Sequence, residues 1–283
     1  MIKAKTYLQL IRLNNIKKSI IVFFPYIFSG YFLDFEIALF LKIIIGALVF
    51  YLFSALVYIF NDYFDKAEDS KHPIKKSRPI ASGLVNLNEV IAIVTILILI
   101  IFLLFIQYDF LNNIIYLFLA YIINNVLYNL LLKKLNPYLA SLSISFGFLL
   151  RAYVGLEIID VDLEQWLPLF IVISTFLVSV LKKYTDGFIL NKSIFNFTIY
   201  SLFGLLSLVY FIHQIELTNN EVTLYVVINF LLFLLSLIIV HNFFLNSDSP
   251  KDPVSLFNLN SASIIFVLWL ITYIEIRYGV FGW

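Results

Sequence analysis

Apolar residues run along this chain in blocks of membrane-crossing length, broken at intervals by short polar or turn-prone stretches. Blocks near 19–33, 40–61, 89–107, 110–132, 138–157, 165–183, 194–213, 222–244 and 258–277 each predict a span. About twenty apolar residues of α-helix suffice to cross a hydrocarbon core of roughly 30 Å. The blocks do not alternate with period two, so they predict helices and not the strands of a membrane barrel. Breaks fall at Asp34, at 62–88, at Asp109, Asn136-Pro137, Asp160 to Glu164, Gly187 to Lys192, Thr218 to Glu221 and Asn246 to Pro253. The first block is short, and Pro25 inside it predicts a tilt or kink. The pattern predicts an all-α polytopic membrane protein of about nine transmembrane helices. No fixed-period repeat and no low-complexity linker interrupts it, so residues 1–283 read as a single integral membrane domain.

Composition sharpens that picture. Of the 283 residues 62% are hydrophobic, 18% aromatic and only 13% charged, with a mean hydropathy of +0.97. Water-soluble domains are nearer half apolar and about a quarter charged. The chain has no cysteine, which excludes disulfides, thioether-linked haem and thiolate metal centres. Its start is polar and cationic up to Lys18, with no small-residue cleavage motif after the first apolar run, so no cleavable leader is expected.

Charge then orients the spans. With the N-terminus placed in the cytoplasm, all of the 19 cations but Lys42, Arg151 and Arg277 fall in inside segments, Lys251 among them. The opposite face collects acids instead, from Asp34 and Glu36 through Asp160 and Asp162 to Glu216 and Glu221. Positive charge on the cytoplasmic side predicts this orientation, in the cell inner or plasma membrane, with an odd number of spans and the C-terminus opposite.

One polar stretch is not explained by topology alone. Asn61-Asp62-Tyr63-Phe64-Asp65-Lys66-Ala67-Glu68-Asp69 closes the second block and runs on through His72-Pro73 and Lys75-Lys76-Ser77-Arg78-Pro79 to Gly83. On a helix Asn61, Asp65 and Asp69 recur every fourth residue and share a face. Three oxygen donors stacked so, with Asp62 and Glu68 nearby, would repel one another without a cation. Few, hard oxygen ligands suit Mg²⁺, which keeps waters and shares its remaining positions with substrate phosphates. The following Lys75, Lys76 and Arg78 could neutralise those phosphates. The competing reading is a solvated helix end that marks where the membrane stops.

Other residues weigh less. Lys18, after Arg12 and Lys17, heads the first span as either a snorkelling anchor or a phosphate ligand. Arg151 lies within the fifth span, where an arginine is costly and faces a polar cavity or a buried partner such as Glu157. Lys182, Lys183 and Asp186 close the sixth span as a second cationic patch or a plain helix-end ion pair. Asn124, Asn125, Tyr128 and Asn129 make the fourth span polar; they line a cavity or bond neighbouring helices. His72 either touches a phosphate or lies at the surface, and His213 and His241 receive no role. There is no Gly-rich phosphate loop, nucleophile elbow or dinucleotide fingerprint, and the charged stretches are too short for a nucleic-acid surface.

The Asn-Asp-x-x-Asp-x-x-x-Asp pattern at 61–69, at the end of a second span among about nine, resembles the UbiA-type prenyltransferase superfamily over nearly the whole chain. That resemblance implies a helical bundle around a central cavity, with Mg²⁺ and a diphosphate held at two cytosolic polar patches and a prenyl chain in an apolar groove open to lipid. Four stretches look like its decaprenyl-phosphate phosphoribosyltransferase branch. They are Asp69 to Gly83, Gly147-Phe148-Leu149-Leu150-Arg151 to Gly155, Lys182-Lys183-Tyr184-Thr185-Asp186, and Asp248-Ser249-Pro250-Lys251-Asp252-Pro253. In that branch the second patch is Lys-Arg-x-x-Glu, whereas aromatic prenyltransferases have a second Asp-x-x-x-Asp; here it holds one acid, Asp186. Departures are Asn15-Ile16-Lys17-Lys18-Ser19, which keeps only the Lys of a Gln-Trp-x-Lys-Asn pattern, and Ala140 in place of an Asp.

The expected activity is therefore Mg²⁺-dependent transfer of a phosphoribosyl group from 5-phosphoribosyl-1-diphosphate to a polyprenyl phosphate, in cell-envelope lipid chemistry. Asn61, Asp62, Asp65 and Asp69 are the expected metal ligands, with Asn61, Asp65 and Asp69 at the catalytic centre. Lys18, Lys75, Lys76, Arg78, Tyr128, Arg151, Lys182, Lys183 and Asp186 are the expected substrate contacts. The alternative enzyme is a prenyl diphosphate:aromatic acceptor transferase, and the alternative outside enzymes is a transporter or channel.

Overall fold

The computed structural model describes residues 2–73, 75–108, 114–160, 166–219, 221–245 and 260–279. All regular structure among them is helical. Among the described residues eight helices are long and apolar enough to cross a membrane: Ile37–Phe64, Leu87–Gln107, Ile115–Leu135, Pro137–Ile159, Trp166–Thr185, Lys192–Leu217, Leu224–Leu245 and Asn260–Tyr278. They follow the apolar blocks closely, and the chain is an integral membrane protein. The stretch Asp248 to Pro253 lies outside the described residues.

The first block takes a different form from the rest. It opens as a 3₁₀-helix, Leu13–Phe23, and ends as one α-helical turn, Phe24–Phe28, with Pro25 in that turn. Proline fits there because the first turn of a helix leaves its N–H groups unpaired anyway. A 3₁₀-helix eclipses residues three apart. The buried residues Ser19, Val22, Pro25 and Phe28 recur at that spacing. At about 2.0 Å per 3₁₀ residue and 1.5 Å per α residue the segment is roughly 30 Å long, so the tighter helix stretches few residues over a bilayer's thickness. The unbroken run Ile20 to Phe24 hides the three-residue period in the sequence.

By its contacts the chain forms two compact units, residues 1–129 with 150–162, and residues 130–149 with 163–283. The core of the first unit is built on Ile37–Phe64, which buries Ile43, Val49, Phe50, Ala55 and Ile59. Phe53 stacks on Phe118 at 4.3 Å and Phe50 meets Tyr121 edge-on at 4.8 Å, joining this helix to Ile115–Leu127. Two glycines permit close approach. A Cβ on Gly155 would overlap the carbonyl oxygen of Val22, and one on Gly46 would overlap the Ile158 side chain. An apolar cavity of about 200 Å³ lies among Phe53, Leu56, Ile98, Ile101, Phe102, Phe105 and Ile115.

In the second unit Trp166–Thr185 packs along Lys192–Leu217 and Leu224–Leu245, and the latter packs along Asn260–Tyr278. Asn136 and Pro137, expected to break the chain, start a helix: Asn136 Oδ1 accepts the Tyr138 N–H at 2.7 Å and proline takes the first helical position.

Candidate functional site at the end of the second long helix

The polar stretch keeps its helical rise although the helix itself breaks. Ile37–Phe64 ends at Asp65, with φ −83° and ψ 3°, and a single further turn covers Lys66–Asp69. The Asp65 N–H still donates to the Asn61 carbonyl at 2.9 Å, and the Asp69 N–H to the Asp65 carbonyl at 2.8 Å. Asn61, Asp65 and Asp69 therefore climb one face as their spacing predicts. The carboxylates that bury most deeply are another pair, Asp62 and Asp69, at 3% and 2% exposure.

Arginines compensate that burial. Arg78 Nη1 donates to Asp62 Oδ1 at 2.9 Å and to Asp69 Oδ2 at 2.7 Å. Arg12 Nη2 donates to the same Asp62 Oδ1 at 2.5 Å, and its guanidinium lies 4.5 Å from the centre of the Tyr58 ring. Lys75 Nζ stands 3.8 Å from Asp69 Oδ1. A chain of alternating charge, Arg12–Asp62–Arg78–Asp69–Lys75, thus locks the helix end to its own basic loop and to the N-terminal segment. Carboxylates removed from water cost several kcal/mol each unless paired in this way.

The local sequence aims those cations. Pro79, Ile80 and Val85 are buried, so the loop is pinned on both sides of its turn at Gly83, whose φ of +73° disfavours any residue with a Cβ. Asn86 and Glu89 then form a capping box that starts Leu87–Gln107. Glu89 also accepts from Lys3 Nζ at 2.9 Å and Tyr7 Oη at 3.0 Å, which anchors helix Ile2–Leu10 just ahead of Arg12. Its carboxylate raises the pKa of both Lys3 and Tyr7, chiefly through these hydrogen bonds. Arg12 links the anchored helix to the 3₁₀ segment in the left-handed region, at φ 51°, and no single-residue signal in the sequence marks it as a partner of Asp62.

The expected contacts divide among distinct places. Tyr128 lies within electrostatic reach of Asp65 and Tyr58. Asn129 Nδ2 donates to Asn61 Oδ1 at 2.8 Å, so the polar fourth span does bond a neighbouring helix. Arg151 is buried, with Nη2 donating to Ser54 Oγ at 3.2 Å and Tyr121 Oη at 3.3 Å and its guanidinium 4.6 Å from the Phe50 ring centre. Glu157, the carboxylate proposed as its partner, accepts from Tyr116 Oη instead. Lys18 sits half-buried in the 3₁₀ segment, and Lys76 and His72 are exposed, with His72 Nδ1 accepting the Lys75 N–H at 3.3 Å.

In the second unit, Lys182 Nζ pairs with Asp186 Oδ2 at 3.3 Å, the helix-end ion pair that the spacing allows. Lys183 Nζ lies 4.8 Å from the Phe188 ring centre. Helix Trp166–Thr185 ends here because Gly187, at φ +79°, closes a Schellman motif: Gly187 N–H donates to the Tyr184 carbonyl and Phe188 N–H to the Lys183 carbonyl. Cations in a last helical turn also face the negative end of the helix dipole.

The donors proposed within 61–69 fit a hard divalent cation in kind: the Asn61 amide oxygen and the Asp62, Asp65 and Asp69 carboxylates, with no imidazole or thiolate competing. Their spatial arrangement is tied up differently. Among the described residues no three carboxylate or imidazole groups converge, and Arg12, Arg78 and Lys75 contact Asp62 and Asp69.

The fold and site together define an integral membrane protein of long apolar helices with an acidic helix end bound to its own basic loop. The sequence pattern of the UbiA prenyltransferase family matches residues 22–186, more than half of the chain, and the chain belongs to that family. A decaprenyl-phosphate phosphoribosyltransferase from Mycolicibacterium smegmatis (strain ATCC 700084 / mc(2)155) is 28% identical over 151 residues, which are 51% of this chain and 45% of the relative. The chain thus aligns with less than half the length of that protein. A solved structure from work on a membrane digeranylgeranylglyceryl phosphate synthase superposes with a TM-score of 0.63, covering 99% of this chain and 100% of its own at 20% identity. That likeness establishes the fold, an all-helical UbiA-type membrane bundle.

Proposed function

We propose that this protein transfers a 5-phosphoribosyl group from 5-phosphoribosyl-1-diphosphate to a polyprenyl phosphate, with residues 1–283 working as one catalytic domain and the chemistry at the cytoplasmic face. The observation that carries this reading is the pattern of the two charged patches in a UbiA-family chain. An Asp-rich helix end is tied to a basic loop through Arg78, and the Lys182-Lys183-x-x-Asp186 patch holds one acid where aromatic prenyltransferases carry two. The similarity to a decaprenyl-phosphate phosphoribosyltransferase supports the same choice. The asymmetry of cations along the chain supports the cytoplasmic placement.

In this reading Asn61, Asp62, Asp65 and Asp69 hold Mg²⁺. When bound, the ion neutralises charge that develops on the diphosphate as the anomeric C–O bond breaks. Arg78 and Lys75 turn from the acids to the donor's phosphates, joined there by the exposed Lys76, exchanging one set of charge-assisted contacts for another. Lys18, Arg151, Lys182 and Lys183 bind the 5-phosphate or the lipid phosphate, Asp186 orients Lys182, and Tyr128 lines the donor site beside Asp65. The acceptor phosphate is ionised at neutral pH, so it needs positioning more than a general base.

The second reading, transfer of a prenyl group from a prenyl diphosphate to an aromatic acceptor, draws on the family match itself. A donor comparison separates the two. Detergent-purified protein with Mg²⁺ is given labelled 5-phosphoribosyl-1-diphosphate and a polyprenyl phosphate, or a prenyl diphosphate and an aromatic acid. A lipid-extractable, EDTA-sensitive phosphoribosyl product is expected; prenylated aromatic product would return the protein to the second reading.

A further inference from the structure

The fourth span changes helical form where it meets the acidic helix end. Ile115–Leu127 is α-helical, and Tyr128–Leu132 is a π-helical turn. Such turns widen the helix, re-phase the side chains that follow, and recur at functional sites. Asn129 lies inside this one. Its Nδ2 donates to the Asn125 backbone carbonyl at 2.9 Å and to Asn61 Oδ1 at 2.8 Å. In a regular α-helix the Asn125 carbonyl would instead accept the Asn129 backbone N–H.

These two bonds settle which way both amides face. A backbone carbonyl only accepts, so the Asn129 atom beside it must be the NH₂ group. That NH₂ in turn requires an acceptor on Asn61, which must therefore present its oxygen. A carbonyl oxygen has two lone pairs. One is taken by Asn129, and the second is left in a fixed orientation in the last turn of Ile37–Phe64. Without Asn129 the Asn61 amide could rotate about its last bond and present nitrogen, which is no ligand for a hard cation.

The geometry points to Asn129, set by the π-helical turn, as a positioning residue that fixes Asn61 Oδ1 for the divalent cation. This inference rests on the metal role proposed above for Asn61 and adds a residue that acts only through it. Outer-shell partners of metal ligands typically contribute 10- to 100-fold in metal affinity.

The test is Mn²⁺ binding to detergent-purified protein, read by loss of the free-ion electron paramagnetic resonance signal, in a buffer free of chelating anions. Asn129→Ala should weaken Mn²⁺ about tenfold, and so should Asn129→Leu, which keeps side-chain bulk in an apolar span. The Mg²⁺ concentration for half-maximal turnover should rise by the same factor, with kcat at saturating Mg²⁺ near that of the parent. Asn61→Ala/Asn129→Ala should bind no more weakly than Asn61→Ala alone, because a residue acting through Asn61 has nothing left to position. Parent-like Mn²⁺ affinity in Asn129→Ala and Asn129→Leu, or losses that add in the double variant, would overturn the inference and leave the metal assignment standing. Absence of Mn²⁺ binding by the parent protein would overturn the metal assignment, and this inference with it.

Discussion

The two compact units hold themselves together with different chemistry. In the first, the polar contacts at the acidic helix end are ionic and their cations partly open to water: Arg78 joins Asp62 to Asp69, its own side chain 28% exposed, and Arg12 and Lys75 extend the chain at either end. In the second, those joining Lys192–Leu217, Leu224–Leu245 and Asn260–Tyr278 are neutral and buried. Asn229 Nδ2 donates to the Trp269 carbonyl at 2.9 Å and to Thr272 Oγ1 at 2.7 Å, Asn229 Oδ1 accepts from Tyr210, and Trp269 Nε1 donates to Tyr210 Oη at 2.7 Å. His213 adds a bond to Tyr273 Oη at 3.1 Å and stacks on Trp166 with ring centres 3.7 Å apart. Hydroxyls and amides joined within hydrocarbon contribute modestly, on average about 0.6 kcal/mol each, because the unfolded state in the membrane also finds them partners. Buried carboxylates behave otherwise: each is costly alone and favourable only while its cations remain. The neutral network is suited to being permanent. The ionic one is suited to exchanging partners, as binding a polyanion or a metal would require.

That contrast can be broken most sharply at Arg78. Arg78→Met leaves two buried carboxylates short of a partner and should lower stability by about 2–4 kcal/mol, less than a fully buried pair because part of the guanidinium is solvated. Thermal melting of the detergent-purified protein checks this, and Arg78→Lys should recover only part of the loss, since one ammonium does not reproduce the planar fork. Gly155→Ala comes next. The new methyl group would meet the Val22 carbonyl, push the segment that delivers Arg12, and cost about 1–3 kcal/mol by overpacking. Asn229→Leu should cost only about 1 kcal/mol and leave turnover unchanged; a loss as large as that of Arg78→Met would erase the distinction between the two networks. Smallest is an alkaline effect. Lys3 and Tyr7 have raised pKa values in the fold, so their contribution is complete below their ordinary values and fades as pH rises through the raised ones. Hydrogen exchange in Ile2–Leu10 should therefore quicken above about pH 10 while the membrane helices stay protected, and added salt should bring the change on sooner.

How far the sequence carried can be judged residue by residue. Helix positions were legible because the membrane leaves one solution to the backbone's hydrogen bonds, so length and hydropathy locate the eight long helices within a few residues. The first block was not, since the run Ile20 to Phe24 hides the three-residue period and the close approach of Val22 to Gly155 is a tertiary fact. At the acidic end, the fourfold spacing of Asn61, Asp65 and Asp69 was readable as helical rise. The preference of Asp62 and Asp69 for burial was not, because it follows from where Arg12 and Arg78 arrive. Arg151 was legible as costly, but its hydroxyl and ring partners lie on two other helices, out of reach of local spacing. The π-helical turn at Tyr128 carries no proline, glycine or other signal that could have announced it.

The proposed chemistry turns on a divalent cation held by Asn61, Asp62, Asp65 and Asp69 at the acidic helix end. Asp65, half-buried at the helix break, is the proposed ligand to change first. Asp65→Asn changes one oxygen for an NH₂ group at constant shape. Phosphoribosyl transfer by the purified variant should fall a hundredfold or more, on the order expected when a group that stabilises developing charge is lost, with the melting temperature unchanged. Near-normal turnover by a folded Asp65→Asn protein would contradict the account.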